Sequence, residues 1–284
     1  MKIVETIDEM HAARKEYGLH SVGLVTTMGY LHEGHLELVR RARTENDRVI
    51  VTIYVNPKQF GPSEDLSRYP RDMDRDLEML RNEDIDIVFT PSDEAMYPAD
   101  YQTIVTVARV TQPLEGARRP THFEGVTTVV AKLFNLCQPT RAYFGQKDAQ
   151  QAAVLRQMVR DLNFNLKLVV CPTVREEDGL ALSSRNKYLT AEQRAAATAL
   201  HDSLEVVSAL WTRGERNSDT LRATMLKILS AVPSARVDYV SAADPTTLLE
   251  YDSIIPGNQG VLFSMAVFFG KTRLIDNAVL SPAL

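Results

Sequence analysis

The sequence predicts an α/β protein: a Rossmann-like parallel sheet with helices on both faces, plus a smaller C-terminal α+β domain. Three features carry this expectation. Apolar, β-branched runs alternate with helically spaced stretches as far as Val174, the pattern of βαβ units. Those runs are hydrophobic at nearly every position, as strands covered on both faces are. After "LSSRNKYL" the order changes to helices followed by several strands. The expected boundaries are 1–174 and 175–284.

Taken in chain order, the expected strands of the first domain are "VGLVT", "RVIVTIYV", "IDIVF", "RAYFG" and "LKLVVCPTV". Between them, "LELVRRARTE", "RDMDRDLEMLRNE", "VTTVVAKLFNLC" and "DAQQAAVLRQMVRDL" repeat apolar residues at helical spacing. In the second domain "TAEQRAAATALHDSLEVVSALWTRGE" and "SDTLRATMLKILSAV" read as two helices. "RVDYVSAAD", "GVLFSMAVFFG" and "KTRLIDNAVL" read as strands. The acidic residues of "DMDRDLE" are expected on a solvated helix face.

Composition narrows the function classes. The 284 residues are 44% hydrophobic and 24% charged, an ordinary globular balance. A formal net charge of −5 disfavours non-specific nucleic-acid binding. Cys137 and Cys171 have neither CxxC nor zinc spacing and read as buried or incidental thiols in a reducing compartment. The stretch "MKIVETIDEMHAARKEYG" lacks the basic-then-apolar order of a signal peptide, and no apolar run is long enough to span a bilayer. A cytoplasmic location is expected.

The chemistry-bearing residues cluster where strands hand over to helices, the ligand-binding edge of such a sheet. "TTMGYLHEGHLELV" follows the "VGLVT" strand and puts His32, Gly34 and His35 at a helix start. Amide N–H groups and the positive dipole end there suit an anion. Gly34 allows close backbone approach. Two imidazoles could stabilise charge building on a phosphorus centre. A metal pair is the alternative, although HEGH is not the HExxH spacing of a helical zinc site. "FGQKDAQQ" repeats the handover: Lys147 offers a mobile point charge, while Asp148 either caps a helix or meets a nucleotide. "LALSSRNKYL" supplies Ser183, Ser184 and Arg185, a phosphate clamp or an ordinary interdomain linker.

Five blocks in order extend these motifs: "TMGYLHEGHLELV", "YVNPKQFGPSEDLSRYPRDMDRDLEML", "GVTTVVAKLFNLCQPTRAYFGQKDAQQ", "VREEDGLALSSRNKYL" and "GKTRLIDN". Together they resemble the pantothenate synthetase (pantoate–β-alanine ligase) family of the HxGH nucleotidyltransferase superfamily. The resemblance implies ATP-dependent condensation of (R)-pantoate with β-alanine to pantothenate, through a pantoyl-adenylate, with release of pyrophosphate and AMP. It places the enzyme in pantothenate biosynthesis and the coenzyme A pathway. It makes residues 1–174 the ATP- and pantoate-binding domain and residues 175–284 a smaller domain covering the active site.

Residue by residue, the resemblance implies an ATP site lined by Met28, Gly29, Tyr30, Leu31, His32, Glu33, Gly34 and His35. To these it adds Gly145, Gln146, Lys147 and Asp148, then Val174, Leu182, Ser183, Ser184 and Arg185, with Val174 and Leu182 acting mainly through their backbones. His35, His32 and Lys147 are the expected catalytic residues. His35 matches the family's usual proton donor, although stabilising charge at the α-phosphate is the better physical reading for both histidines. Gln59 is expected on pantoate and β-alanine, and Gln151 on pantoate. Val129 and Val130 could wall the gem-dimethyl group besides packing in the core. Gln146 departs from the glutamate of many members. Mg²⁺ is expected to arrive with ATP, its protein ligand unknown, and a homodimer is implied.

Two other readings compete. A nucleotidyltransferase acting on a phosphate substrate would share HxGH but would want further basic side chains. A metal-dependent binding protein would use His32 and His35 as ligands.

Overall fold

The computed structural model describes residues 1–62 and 64–281. It divides into two compact units, Met1–Gly145 with Val154–Pro172, and Gln146–Ala153 with Thr173–Leu284. The later crossing lies close to the expected 174/175 boundary. Gln146–Ala153, however, groups with the second unit, which a contiguous division does not contain.

In the first unit, β1 (Lys2–Val4), α1 (Ile7–Glu16), β2 (Val22–Thr27), α2 (Glu33–Glu45), β3 (Arg48–Ile53), α3 (Met73–Arg81) and β4 (Ile87–Phe89) follow in order. Two single-turn helices, α4 (Asp93–Met96) and α5 (Glu115–Arg118), precede α6 (His122–Cys137) and β5 (Arg141–Gly145). Helix α7 (Ala149–Asp161) starts in the second unit and leads to β6 (Lys167–Cys171) in the first. The sheet order is β1-β4-β3-β2-β5-β6, and every pairing is parallel. After β2 the chain moves outward through β3 and β4, and β5 returns to the other side of β2. That reversal makes the carboxyl ends of β2 and β5 the sheet's switch point.

Val25, Val49, Val51 and Val88 of the sheet pack with Leu36, Val39 and Ala42 of α2 and with Leu77 and Leu80 of α3. Burying each of the valines and leucines stabilises by roughly 1.5–3 kcal/mol. Both cysteines are buried, and burial pushes the Cys137 thiol up to about 12. β1 and α1 lay unseen in the sequence reading. The strand is three residues long, too short to show a period, and α1 buries only Met10 and Ala13. A Thr6–Glu9 capping box fixes its start instead.

In the second unit, α8 (Ala191–Ala196), α9 (Ala199–Thr212) and α10 (Ser218–Ser230) precede an antiparallel sheet of β7 (Ala235–Ala243), β8 (Val261–Phe269) and β9 (Thr272–Leu280), with β8 central. Phe263, Met265, Val267 and Phe269 of β8 alternate into a core with Leu204, Val207 and Trp211 of α9 and Leu221, Met225 and Leu229 of α10. The single helix expected over "TAEQRAAATALHDSLEVVSALWTRGE" is two. The break is a tight turn in which the Leu200 N–H donates to the Ala197 carbonyl at 3.2 Å. Among the described residues no helix is long and apolar enough to cross a membrane.

Candidate active site

The residues singled out in the sequence divide between the two units, and each set is built within its own. In the first unit, β2 ends at Thr27 and the chain turns through Met28–Leu31 into α2. The turn needs left-handed backbone at Gly29 (φ +77°) and Tyr30 (φ +51°), a conformation natural for glycine and unfavourable for tyrosine. Three successive amides are then committed to the protein. The Gly29 N–H donates to Thr27 Oγ1 at 3.1 Å. The Tyr30 and Leu31 N–H groups donate to the two oxygens of Asp76, at 2.6 and 2.7 Å.

Asp72, Asp74 and Glu78 lie exposed as expected of a solvated acidic face, but Asp76 departs from it: it is 1% exposed. Burial raises its pKa above the ordinary carboxylate value, against the two amide hydrogen bonds, which pull it down. It lies on α3 and holds the HxGH turn from behind. Its signal was hidden in a run of acids, of which only this one is buried, with Leu77 and Leu80, on α3.

The 29–31 amides are thus occupied within the protein, unlike those at the start of α2. A first helical turn leaves the Glu33 and Gly34 N–H groups without intrahelical acceptors. The His32 and His35 rings lie 4.0 Å apart, tilted by 33°. His35 Nδ1 accepts the His32 N–H at 3.4 Å, so the neutral His35 ring carries its proton on Nε2 as a donor. The Glu33 carboxylate pairs with Arg40 along α2, and the Leu31 side chain is core. Any nucleotide contact of these two residues falls to the backbone.

Gln59 closes the 3₁₀ turn Pro57–Gln59 after β3. Its amide spans Met28 Sδ, 2.9 Å from Nε2, and the Asn56 amide, 3.2 Å from Oε1. The structure thus brings Gln59 to the HxGH loop. Thioether sulfur is a weak acceptor, so a substrate oxygen could replace it. The turn seats on α6, where a Cβ on Gly125 would lie 2.3 Å from the Lys58 carbonyl oxygen. Asn56 Nδ2 donates to the Gly125 carbonyl at 3.1 Å. From the same helix His122 Nδ1 donates to the Gln59 carbonyl at 2.9 Å, leaving Nε2 to accept from Arg119 at 3.1 Å. Burial, with the Arg119 charge, lowers the His122 pKa to about 4. Arg119 in turn grips both Glu64 oxygens, at 2.7 and 2.6 Å. Sequence reasoning missed Asn56, Arg119 and His122. Val129 and Val130 are buried on α6, as their core role requires.

In the second unit, Gln146, Lys147 and Asp148 form a 3₁₀ turn ahead of α7. Lys147 Nζ lies 3.9 Å from Asp148, which directly precedes the first residue of α7. Gln151 sits in the first turn of α7, half-buried. Ser183 caps the 3₁₀ turn Ser184–Tyr188, its Oγ accepting the Arg185 N–H at 3.3 Å. Ser184 and Arg185 are half-buried there. The Leu182 N–H donates to the Val174 carbonyl at 3.0 Å, so a backbone contact to nucleotide would use the Val174 N–H or the Leu182 carbonyl. Among the described residues no group of three or more His, Cys, Asp or Glu side chains could hold a metal ion.

Residues 2–279 match the family model described as pantoate-beta-alanine ligase. The chain belongs to this family. It is 57% identical to a pantothenate synthetase of Roseiflexus castenholzii over 99% of both chains. It is 55% identical to one of Chloroflexus aurantiacus, over 99% of this chain and 98% of that one. The solved pantothenate synthetase of Thermus thermophilus superposes with a TM-score of 0.92 at 47% identity, covering 98% of this chain and 99% of that one. The pantoate–β-alanine ligase of Francisella tularensis, solved with β,γ-ATP and β-alanine, gives 0.80 at 33% identity over the whole of both chains. The parallel sheet with its small antiparallel domain is thus the family's architecture, and the protein is an ATP-dependent ligase of pantothenate formation.

Proposed function

We propose that the pantoate carboxylate attacks the α-phosphate of ATP to give pantoyl-adenylate and pyrophosphate. The β-alanine amine then displaces AMP to give pantothenate. A carboxylate resists amines because its carbonyl is electron-rich and oxide leaves poorly; adenylation replaces oxide with AMP. The observation that carries this reading is the start of α2. Two amides and two imidazoles gather there, one with its donor tautomer set by a backbone hydrogen bond. Such donors stabilise charge developing on phosphorus, so His32 and His35 act by charge stabilisation.

In the same reading Lys147 meets phosphate oxygens, with Ser183, Ser184 and Arg185 as further phosphate ligands. Met28, Gly29, Tyr30, Leu31, Glu33, Gly34, Gly145, Gln146, Asp148, Val174 and Leu182 shape the nucleotide site. Gln59 and Gln151 hold pantoate, Gln59 also lines the β-alanine site, and Val129 and Val130 back the gem-dimethyl group. Mg²⁺ rides on the ATP phosphates and keeps several waters, a mode that requires no protein cage. The chain works as a cytoplasmic homodimer, which light scattering after size exclusion tests.

The decisive experiment is exchange of labelled pyrophosphate into ATP with pantoate present and β-alanine absent. Exchange is expected, and AMP is the expected nucleotide product of the full reaction. A strict need for β-alanine would overturn the free-adenylate route, and ADP with orthophosphate would indicate an acyl-phosphate ligase instead.

A further inference from the structure

The block "GKTRLIDN" helped to carry the family resemblance but received no role of its own. Its last two residues, Asp276 and Asn277, lie on β9 and are 1% and 4% exposed. A buried asparagine must satisfy two donors and an acceptor, and Asn277 does so on one short segment. Its Nδ2 donates to the carbonyls of Gln146 and Lys147, at 3.0 and 2.8 Å. Its Oδ1 accepts from Gln146 Nε2 at 3.0 Å. Two carbonyls can face only an NH₂ group, so the amide orientation is fixed by its partners.

Asp276 anchors the strand at that point. It accepts from both terminal nitrogens of Arg175, at 2.6 and 3.0 Å, and also takes the Asn277 N–H at 2.8 Å. Arg175 NH1 in turn donates to the Gly179 carbonyl at 3.0 Å. The turn carrying Lys147 is therefore clamped directly by a side chain 130 residues away in sequence.

We infer that Asn277 is a positioning residue for Lys147, holding the 146–148 turn so that the lysine ammonium meets the nucleotide phosphates in one geometry. This rests on the reading of Lys147 as a phosphate ligand. A lysine has four rotatable bonds and no directional fork of its own. Its placement therefore depends on a fixed backbone. Both carbonyls bound by Asn277 belong to that backbone, one of them to Lys147 itself. Gln146 adds to the clamp as an amide: a carboxylate there would point at Asn277 Oδ1 with no proton to share.

The test is a double-mutant cycle of Asn277→Asp and Lys147→Ala, read by pantoate-dependent pyrophosphate exchange. The Asp variant keeps the shape but sets a carboxylate against two carbonyls. A misplacement of about 1 Å can cost about 100-fold in rate, and that loss is expected in kcat with the melt largely retained. On the Lys147→Ala background the same change should cost less than threefold, because the group it positions is gone. If Lys147→Ala leaves exchange intact, the phosphate reading of Lys147 fails. If Lys147→Ala is impaired while Asn277→Asp is active, or the two losses multiply independently, the clamp is refuted. Should Asn277→Asp not fold, Gln146→Met removes the third bond of the clamp, to Asn277 Oδ1, at similar side-chain length. About a tenfold loss that again vanishes without Lys147 supports the inference, and full activity overturns it.

Discussion

Replacing Asp76 with Asn separates holding the HxGH turn from holding the fold. The two side chains have the same shape, but Asn offers one acceptor oxygen where Asp offers two. The Tyr30 and Leu31 N–H groups reach those oxygens at 2.6 and 2.7 Å. In the variant one N–H must face an NH₂ group. Hydrogen bonds to charged groups contribute about 1.5–3 kcal/mol each, and a buried donor left without a partner costs about 1–3 kcal/mol. The turn that loses this support already holds Tyr30 in left-handed backbone. A loss of about 1.5–3 kcal/mol in loop order corresponds to roughly 10- to 100-fold in adenylation rate.

Global stability should move less than this, for a reason with a definite sign. The folded pKa of Asp76 is raised by burial, so the folded chain holds that proton more tightly than the unfolded one. Ionising Asp76 thus works against the fold, and stability falls as pH rises from the ordinary carboxylate range through the raised value. A neutral amide avoids that cost, which offsets part of the lost hydrogen bond. The assay is pyrophosphate exchange beside a thermal melt, with the exposed Asp74→Asn as control. Exchange within threefold of wild type in Asp76→Asn would refute the argument, as would equal damage in Asp74→Asn.

Gln151→Ala should weaken pantoate binding five- to a hundredfold, the span of about 1–3 kcal/mol for an unpaired polar group, with ATP binding retained. Gln59→Ala should also impair β-alanine capture; calorimetry with each ligand separately checks both, and unchanged pantoate affinity would remove the glutamines from the site. His122, whose pKa is lowered from 6.5 to about 4, should make stability fall as pH drops from about 6.5 to 4. The unfolded chain takes that proton first, for a total of about 3 kcal/mol. Urea unfolding at stepped pH should show a shallower dependence in His122→Asn, and an identical slope would reject the assignment.

Much of the sheet was legible because a parallel strand buried on both faces has a signature that survives without context. "VGLVT", "RVIVTIYV" and "RAYFG" each became a strand within two residues of its reading. β1 and the break between α8 and α9 were not legible. A three-residue edge strand has no period of its own, and "TAEQRAAATAL" has high helix propensity straight through the turn. The grouping of Gln146–Ala153 with the second unit has no local mark either: its carbonyls at Gln146 and Lys147 meet Asn277, near the other end of the chain.

The same distinction runs through the site. Residues proposed to face ligands declare themselves by type and place: imidazoles, a lysine and amides just beyond strand ends. The residues that hold them carry no such mark. Asp76 looks like one acid among several, Asn277 ends an ordinary strand, and His122 opens a core helix. Each reaches a backbone group distant in sequence, 46 residues away for Tyr30, 130 for Lys147 and 63 for Gln59. All three bind main chain, with Asn277 also meeting the Gln146 amide and His122 the Arg119 guanidinium. That choice has a physical consequence: the side chains they position keep their own donors and acceptors for substrate. In the proposed reading the nucleotide meets donors fixed in advance, so charge developing in the transition state is stabilised without reorganisation of the loops. Variants of these holders should therefore lower kcat more than they weaken ground-state ATP binding, whereas variants at Ser183 or Arg185 should affect both.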